Sequence, residues 1–206
     1  MLDDVSGGSA ARLGLGEVPS EDGVELSAPA DGKGDGVVAT RRFAVGETVL
    51  VGFLIGTLTG NDSHATQMGP DTWARHGGLG PKVNHSCDPN CGVRLNAEQA
   101  FDFVARRPIG IGQELTFDYA MRNFIIEHFP PVCLCGAQEC RGSVTGWKDL
   151  PDDRKADYGE LVAPYLRAMG QHHRSVPPGA APPRSPPWFP TRTEGHPDSL
   201  TYPMKD

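Results

Sequence analysis

Polar and apolar positions alternate with a period of two in Ala100-Phe101-Asp102-Phe103-Val104-Ala105, the pattern of a strand with one face buried. Upstream, Lys33-Gly34-Asp35-Gly36 is a glycine turn that runs into the β-branched stretch Val37-Val38-Ala39-Thr40. Phe43 to Val51 predicts a turn at Val45-Gly46 followed by a second, largely buried strand. Residues 56–82 read as irregular, with Gly56, Gly60, Gly69, Gly77, Gly78 and Gly80 breaking any period; only His64 to Met68 suits a short strand. Pro108-Ile109-Gly110-Ile111-Gly112 turns the chain into the β-prone run Glu114 to Tyr119. The best helical stripe is Asp152 to Met169, where Tyr158, Leu161, Val162, Tyr165, Leu166 and Met169 recur at three- and four-residue spacing. Asp152 or Asp153 is placed to cap it, and Pro164 predicts a kink or a split into two short helices.

The pattern predicts a mainly β fold with short strands, small sheets and a short C-terminal helix. It divides the chain into a flexible arm over 1–30, a β-rich domain over 31–130, a cysteine-bearing segment over 131–150, the helix over 151–170 and a tail over 171–206. Within the arm only Val24-Glu25-Leu26 suits a strand. The tail holds nine of the nineteen prolines and predicts disorder, because such a composition buries no core.

Charge and cysteine usage narrow the function classes. With 206 residues and 38% hydrophobic content, the chain supports one ordinary core. A net charge of −7 argues against direct nucleic-acid binding, which needs clustered Lys and Arg, and suits a basic partner such as a lysine-rich peptide. No apolar run approaches membrane-spanning length, so no membrane association is expected. Without a secretory leader, an intracellular location is expected, cytoplasmic if the source is bacterial. Three of the five cysteines fall within eight residues, as Cys133, Cys135 and Cys140. Clustered thiols in such a chain point to metal more than to disulfides.

Three short runs carry the candidate chemistry. Asn84-His85-Ser86-Cys87-Asp88-Pro89-Asn90 places an amide, an imidazole, a hydroxyl and a thiol in front of a tight Asp-Pro-Asn bend. Glu114-Leu115-Thr116-Phe117-Asp118-Tyr119 is a strand ending in a phenol beside a carboxylate. Cys133-Leu134-Cys135 with Cys140 offers three soft ligands where structural zinc takes four. Cys91 is expected to be a small buried hydrophobe. Gly34-Asp35-Gly36 lacks the third glycine and the following helix of a dinucleotide fingerprint, which makes NAD, FAD and ATP poor candidates.

Taken together, these three runs resemble the SET-domain protein-lysine methyltransferases with a post-SET zinc segment, in the compact form of the small bacterial members. The resemblance covers Asp31 to Leu150. It implies a SET-domain fold over 31–130, with a pseudoknot that brings the Asn84 and Tyr119 segments together, and a zinc-bound post-SET segment over 131–150. It implies S-adenosylmethionine as cofactor, bound by Asn84 at the methionine end, by His85 at the adenine, and by Tyr119 and the backbone of Gly34, Asp35 and Gly36. Zinc would be held by Cys87 with Cys133, Cys135 and Cys140. Tyr119 would be the catalytic tyrosine, orienting amine and methyl group, and Asp118 would be structural.

Phe117 and Phe124 would line the substrate channel, with Phe129 a further candidate. Phe117 would set the number of methyl groups accepted, leaving room for di- or trimethylation. Where the family usually has Arg-Phe before the Asn-His pair, this chain has Pro81-Lys82-Val83, a departure at the cofactor rim. The implied activity is S-adenosyl-L-methionine-dependent methyl transfer to the ε-amine of a lysine in a protein or peptide partner. The alternatives are a non-lysine or small-molecule amine acceptor, and an inactive SET-fold binding module.

Overall fold

The computed structural model describes residues 22–27, 34–62, 65–126 and 132–175, with backbone alone for 170–175. These residues belong to one compact unit. Among them are ten strands: β1 (Val24–Ser27), β2 (Gly36–Ala39), β3 (Thr48–Leu50), β4 (Leu54–Leu58), β5 (Thr66–Gly69), β6 (Thr72–His76), β7 (Asn84–His85), β8 (Cys91–Leu95), β9 (Phe101–Ala105) and β10 (Thr116–Phe117). Two helices follow, α1 (Asp152–Tyr158) and α2 (Pro164–Ser175). The fold is mainly β, built from small sheets.

β1 pairs antiparallel with β2 along its whole length, Val24 opposite Ala39 and Ser27 opposite Gly36. Thr40 N–H also donates to the Gly23 carbonyl at 2.8 Å. Paired backbone therefore starts before Asp31, and Val24–Ser27 is part of the fold rather than of a flexible arm. The rest of the expected arm, 1–21, lies outside the described residues.

The central sheet runs β3-β9-β8, all antiparallel. Its middle strand corrects the sequence reading. All five residues of β9 are buried, including Asp102, which the alternation had placed on a wet face. The Asp102 carboxylate is satisfied instead by Gly52 N–H at 3.1 Å and Asn96 Nδ2 at 2.8 Å, which offsets the desolvation of a buried charge. Phe101, Phe103 and Val104 of β9 and Val93 of β8 form the apolar core with Val37, Ile109, Leu115 and Phe117. Each such side chain contributes roughly 1.5–3 kcal/mol by burial.

The stretch 56–82 is also more regular than its glycines suggest, because β4, β6 and β5 form a three-stranded antiparallel sheet there. Register shifts near Gly56 and Gly69 absorb the glycines as irregularities within paired strands.

The helical stripe is two helices rather than one. α1 ends at Gly159, whose φ of +56° is left-handed, and Pro164 opens α2 at the position where its missing N–H costs nothing. Neither Asp152 nor Asp153 is the N-cap. Pro151 occupies that position with no side-chain capping bond, and both aspartates lie in the first turn, where they favour the helix dipole. Tyr158, Val162, Ala163, Tyr165 and Leu166 are buried. α2 continues to Ser175, past the expected limit of residue 170, and the proline-rich stretch 176–206 lies outside the described residues. No helix among the described residues is long and apolar enough to cross a membrane.

Candidate active site

The two chemistry-bearing runs meet in a two-residue parallel ladder, Thr116 opposite Asn84 and Phe117 opposite His85. This is the juxtaposition that a threaded loop was expected to produce. So short a ladder needs bracing, and Asn90 supplies it. The Asn90 Nδ2 donates to the Glu114 carbonyl at 2.7 Å, and its Oδ1 accepts from Thr116 N–H at 2.9 Å. Ser86 N–H donates to the Phe117 carbonyl at 3.1 Å. The Asp-Pro-Asn bend thus fastens β7 to β10, a role for Asn90 that the sequence reading did not assign.

Asn84 Nδ2 donates to Glu114 Oε1 at 2.8 Å and to the Asp35 carbonyl at 3.2 Å. A Cβ added to Gly36 would lie 2.7 Å from Glu114 Oε1 and 3.0 Å from Asn84 Nδ2. A side chain at 36 would therefore displace the tips of Glu114 and Asn84 from their mutual hydrogen bond, before any ligand is considered. Gly34 has a different reason, a φ of +85° with open space around it. At the rim, Lys82 Nζ pairs with the Asp35 carboxylate at 2.8 Å, an ion pair built from the Lys82 that departs from the family pattern.

His85 is buried between both halves of the site. Its Nδ1 accepts from Tyr119 N–H at 3.3 Å, and its Nε2 lies 3.4 Å from Cys87 Sγ. The first contact leaves Nδ1 without a proton, so Nε2–H faces the sulfur. Burial lowers His85 to about 4, against a weaker opposing pull from Asp118, and the ring is neutral near pH 7. Tyr119 lies edge-on to His85, with ring centroids 5.3 Å apart, and tilted against Phe117 at 4.9 Å. The Tyr119 hydroxyl donates to the Val83 carbonyl at 3.3 Å. Burial raises the Tyr119 phenol above its ordinary range, so it is protonated at neutral pH.

Phe117 is buried and edge-on to Phe103 at 5.1 Å, an arrangement contributing about 0.5–1.5 kcal/mol that ties β10 to the central sheet. Phe124 is half-buried. Its N–H donates to Gln67 Oε1 at 2.9 Å and its carbonyl accepts from Lys148 N–H at 3.0 Å. Phe129 lies outside the described residues.

Cys87, Cys133, Cys135 and Cys140 converge, with all four sulfurs within 4.8 Å of one another. Cys87 and Cys133 are 3.9 Å apart. Tetrahedral zinc with bonds of about 2.3 Å requires sulfurs about 3.8 Å apart, so the donor set fits that ion. Burial raises the Cys87 thiol to about 11 and raises Cys133 as well. At Cys135 burial is outweighed by backbone donors and neighbouring thiols, which bring it down to about 7. Cys91 is fully buried and outside the cluster.

The largest omission from the sequence reading concerns Asp118. Its carboxylate is fully buried and takes both guanidinium nitrogens of Arg141, at 2.6 and 3.0 Å. It also accepts the Tyr158 hydroxyl at 2.7 Å and Ala120 N–H at 3.0 Å. One carboxylate therefore joins the residue before Tyr119, the residue after Cys140 and the end of α1. The Asp118 charge keeps Arg141 more firmly protonated despite burial, and burial with that charge raises the Tyr158 phenol.

The SET-domain family profile matches residues 34–120. This chain carries a SET domain. The histone-lysine N-methyltransferase SETD1 of Drosophila melanogaster is 41% identical over 71 residues, which are 33% of this chain and 4% of that protein. Human SETD1A is 35% identical over 71 residues, 33% of this chain and 4% of its own length. ASHH2 of Arabidopsis thaliana is 34% identical over 96 residues, 42% of this chain and 5% of that protein. The shared stretch is thus a small part of these relatives. A crystal structure of KRYPTONITE in complex with mCHH DNA, H3(1-15) peptide and SAH aligns with a TM-score of 0.46 and 24% identity, covering 59% of this chain and 29% of that one. The matched SET domain contains the β7–β10 ladder and Tyr119, whereas Cys133, Cys135, Cys140, Arg141 and Tyr158 lie beyond its end.

Proposed function

We propose that the chain transfers methyl groups from S-adenosyl-L-methionine to the ε-amine of a protein lysine, with Tyr119 as the catalytic residue and a zinc-bound post-SET segment. The observation that carries this reading is the β7–β10 ladder, which sets Asn84 and His85 beside Phe117-Asp118-Tyr119. The residues fit the cofactor in donor chemistry. Asn84 spends its NH2 on Glu114 and Asp35, and no described group donates to its Oδ1. That oxygen would be left to accept from the ammonium of a methionine moiety, while Gly34, Asp35, Gly36 and His85 offer backbone for close approach. When bound, the cofactor supplies an electrophilic methyl group on a sulfonium.

The chain's contribution is alignment, because displacement at a methyl carbon gains mainly from an in-line approach. Tyr119, a protonated phenol held by burial and by its own backbone bond to His85, orients the acceptor amine through its hydroxyl. Phe117 and Phe124 are assigned to the apolar channel that excludes water and disfavours the ammonium form. Cys87, Cys133, Cys135 and Cys140 would hold zinc, clipping residues 132–142 against the Asn84–Asn90 turn. Because His85 Nε2 faces Cys87, that clip bears directly on the ring that accepts the Tyr119 backbone bond. The relatives are named as histone-lysine methyltransferases, so a basic, lysine-rich peptide is the acceptor class proposed here.

The test is transfer of a radiolabelled methyl group from S-adenosylmethionine to a random pool of lysine-containing peptides, with an arginine-only pool as control. Label on the lysine pool alone supports the reading. No label on either pool, from protein that is folded and zinc-loaded, overturns it.

A further inference from the structure

His85 links the cysteine cluster to Tyr119 through the two nitrogens of one ring. Its Nδ1 accepts Tyr119 N–H at 3.3 Å, and its Nε2 lies 3.4 Å from Cys87 Sγ. Because Nδ1 accepts, the ring proton sits on Nε2 and presents a donor to the sulfur. The Asp118 carboxylate stands 3.6 Å from Nδ1 but is occupied by Arg141, the Tyr158 hydroxyl and Ala120 N–H. Cys87 Sγ meets a second donor, Arg141 N–H, at 3.5 Å. Two N–H groups directed at one buried sulfur suit a thiolate, the form in which cysteine binds a metal.

The ring has little freedom to absorb a displacement. Its backbone is fixed in the β7–β10 ladder opposite Phe117, and Ser86 N–H beside it donates to the Phe117 carbonyl at 3.1 Å. The His85 side chain and Cys87 are both buried, which keeps bulk water from either contact. Tyr119 packs edge-on against the same ring, with centroids 5.3 Å apart. In so close-packed a setting, a shift of Cys87 Sγ or a change in its charge reaches Tyr119 N–H through the imidazole. The four sulfurs fit zinc, and a bound metal would hold Cys87 as the thiolate.

We infer that His85 is a positioning residue that makes the placement of Tyr119 depend on metal binding at Cys87, with Nε2–H on the thiolate and Nδ1 on Tyr119 N–H. The inference rests on the methyltransferase reading above for the role of Tyr119. Donors to metal-ligating groups fix those ligands in orientation. Here the same donor ring carries the constraint onward to the residue assigned to the reacting amine.

The experiment compares wild type, His85→Asn and His85→Gln in the full chain. The Asn carbonyl stands in for Nδ1 and leaves the sulfur without its imidazole donor, whereas the Gln amide reaches toward the sulfur as Nε2 does. With cobalt(II) in place of zinc, a hydrogen bond to the metal-bound thiolate raises the energy of the sulfur-to-cobalt charge-transfer band. His85→Asn is expected to move that band to longer wavelength, and His85→Gln to keep it near wild type. The Tyr119 amide resonance is then read in the zinc and cadmium forms, whose ions differ in size. It is expected to differ between the two metals in wild type, and that difference to shrink in His85→Asn, where the Arg141–Asp118 route is unaltered. An unmoved band in His85→Asn overturns the inference, as does an undiminished zinc–cadmium difference. If His85→Asn does not fold, wild type loaded with cadmium-113 is expected to show a metal splitting of the His85 Nε2–H proton, and its absence overturns the inference. None of these readouts uses methyl transfer, so their failure leaves the methyltransferase reading standing. No transfer by wild type overturns that reading and the positioning role with it.

Discussion

Asp118 and Arg141 face each other in a bidentate ion pair at 2.6 and 3.0 Å, with Asp118 fully buried. The pair joins the residue next to Tyr119 to the residue next to Cys140, so the cysteine segment and the candidate tyrosine are positioned together. Breaking one side of a buried pair leaves the other charge uncompensated. Arg141→Met is therefore expected to destabilise the fold by about 3–5 kcal/mol, read as a lower urea midpoint. Tyr158→Phe removes one charge-assisted bond to the same carboxylate and is expected to cost about 1.5–3 kcal/mol. Equal midpoints for Arg141→Met and wild type would show that the pair does not hold the two segments.

Metal removal is expected to act locally. A chelator, or Cys140→Ser, should loosen residues 132–142 while the β3-β9-β8 sheet stays protected in hydrogen exchange, because that sheet contains none of the four clustered cysteines. One zinc per chain in wild type, and less in the variant, is the expected elemental analysis. Full zinc content in Cys140→Ser would remove Cys140 from the ligand set.

Gly36→Ala places a methyl group 2.7 Å from Glu114 Oε1 and 3.0 Å from Asn84 Nδ2. Either the Asn84–Glu114 bond or the local backbone must shift. Cofactor affinity measured by calorimetry is expected to fall by about tenfold or more, roughly 1.4 kcal/mol. An unchanged dissociation constant would separate Asn84 from cofactor binding.

How much of this was legible in the sequence depended on how local each feature is. The Asn84–Asn90 and Glu114–Tyr119 runs and the Cys133–Cys140 cluster were readable because each packs its chemistry into a few consecutive residues. Pro164 likewise announced the break between α1 and α2. Asp118 could be assigned a structural role, but not its partners. Arg141 and Tyr158 are 23 and 40 residues away along the chain, and nothing local marks them. Asn90 looked like turn chemistry, yet its side chain braces a strand 24–26 residues downstream. β4 and β6 were missed because Gly56 and the glycines after His76 broke the alternation, and backbone pairing carries those strands instead. Asp102 misled for the opposite reason, since one carboxylate between two phenylalanines reads as alternation and cannot show that a strand will be central and its carboxylate satisfied from within.

His76 gives the fold an acid sensitivity of known sign. Its Nε2 accepts from Phe101 N–H at 3.0 Å, and burial lowers it from 6.5 to about 3. The unfolded chain takes up this proton below about pH 6.5, whereas the folded chain does not until about pH 3. The stability that depends on neutral His76 is thus complete above about pH 6.5 and is lost as pH falls toward 3, at up to about 1.4 kcal/mol per pH unit. His76→Gln, which retains an acceptor, is expected to lessen that slope between pH 6 and pH 4 in urea titrations. Equal slopes for variant and wild type would show that His76 does not titrate in this way.

The central claim is that the ladder joining Asn84-His85 to Phe117-Asp118-Tyr119 assembles a methyl-transfer site in which Tyr119 acts on the reacting amine. Single-turnover transfer from S-adenosylmethionine to lysine peptides, compared between wild type and Tyr119→Phe with cofactor affinity measured alongside, tests this most directly. The account predicts near-normal cofactor affinity and a rate lowered by about a hundredfold or more, roughly 2.7 kcal/mol in the barrier. An unchanged rate in Tyr119→Phe would contradict it.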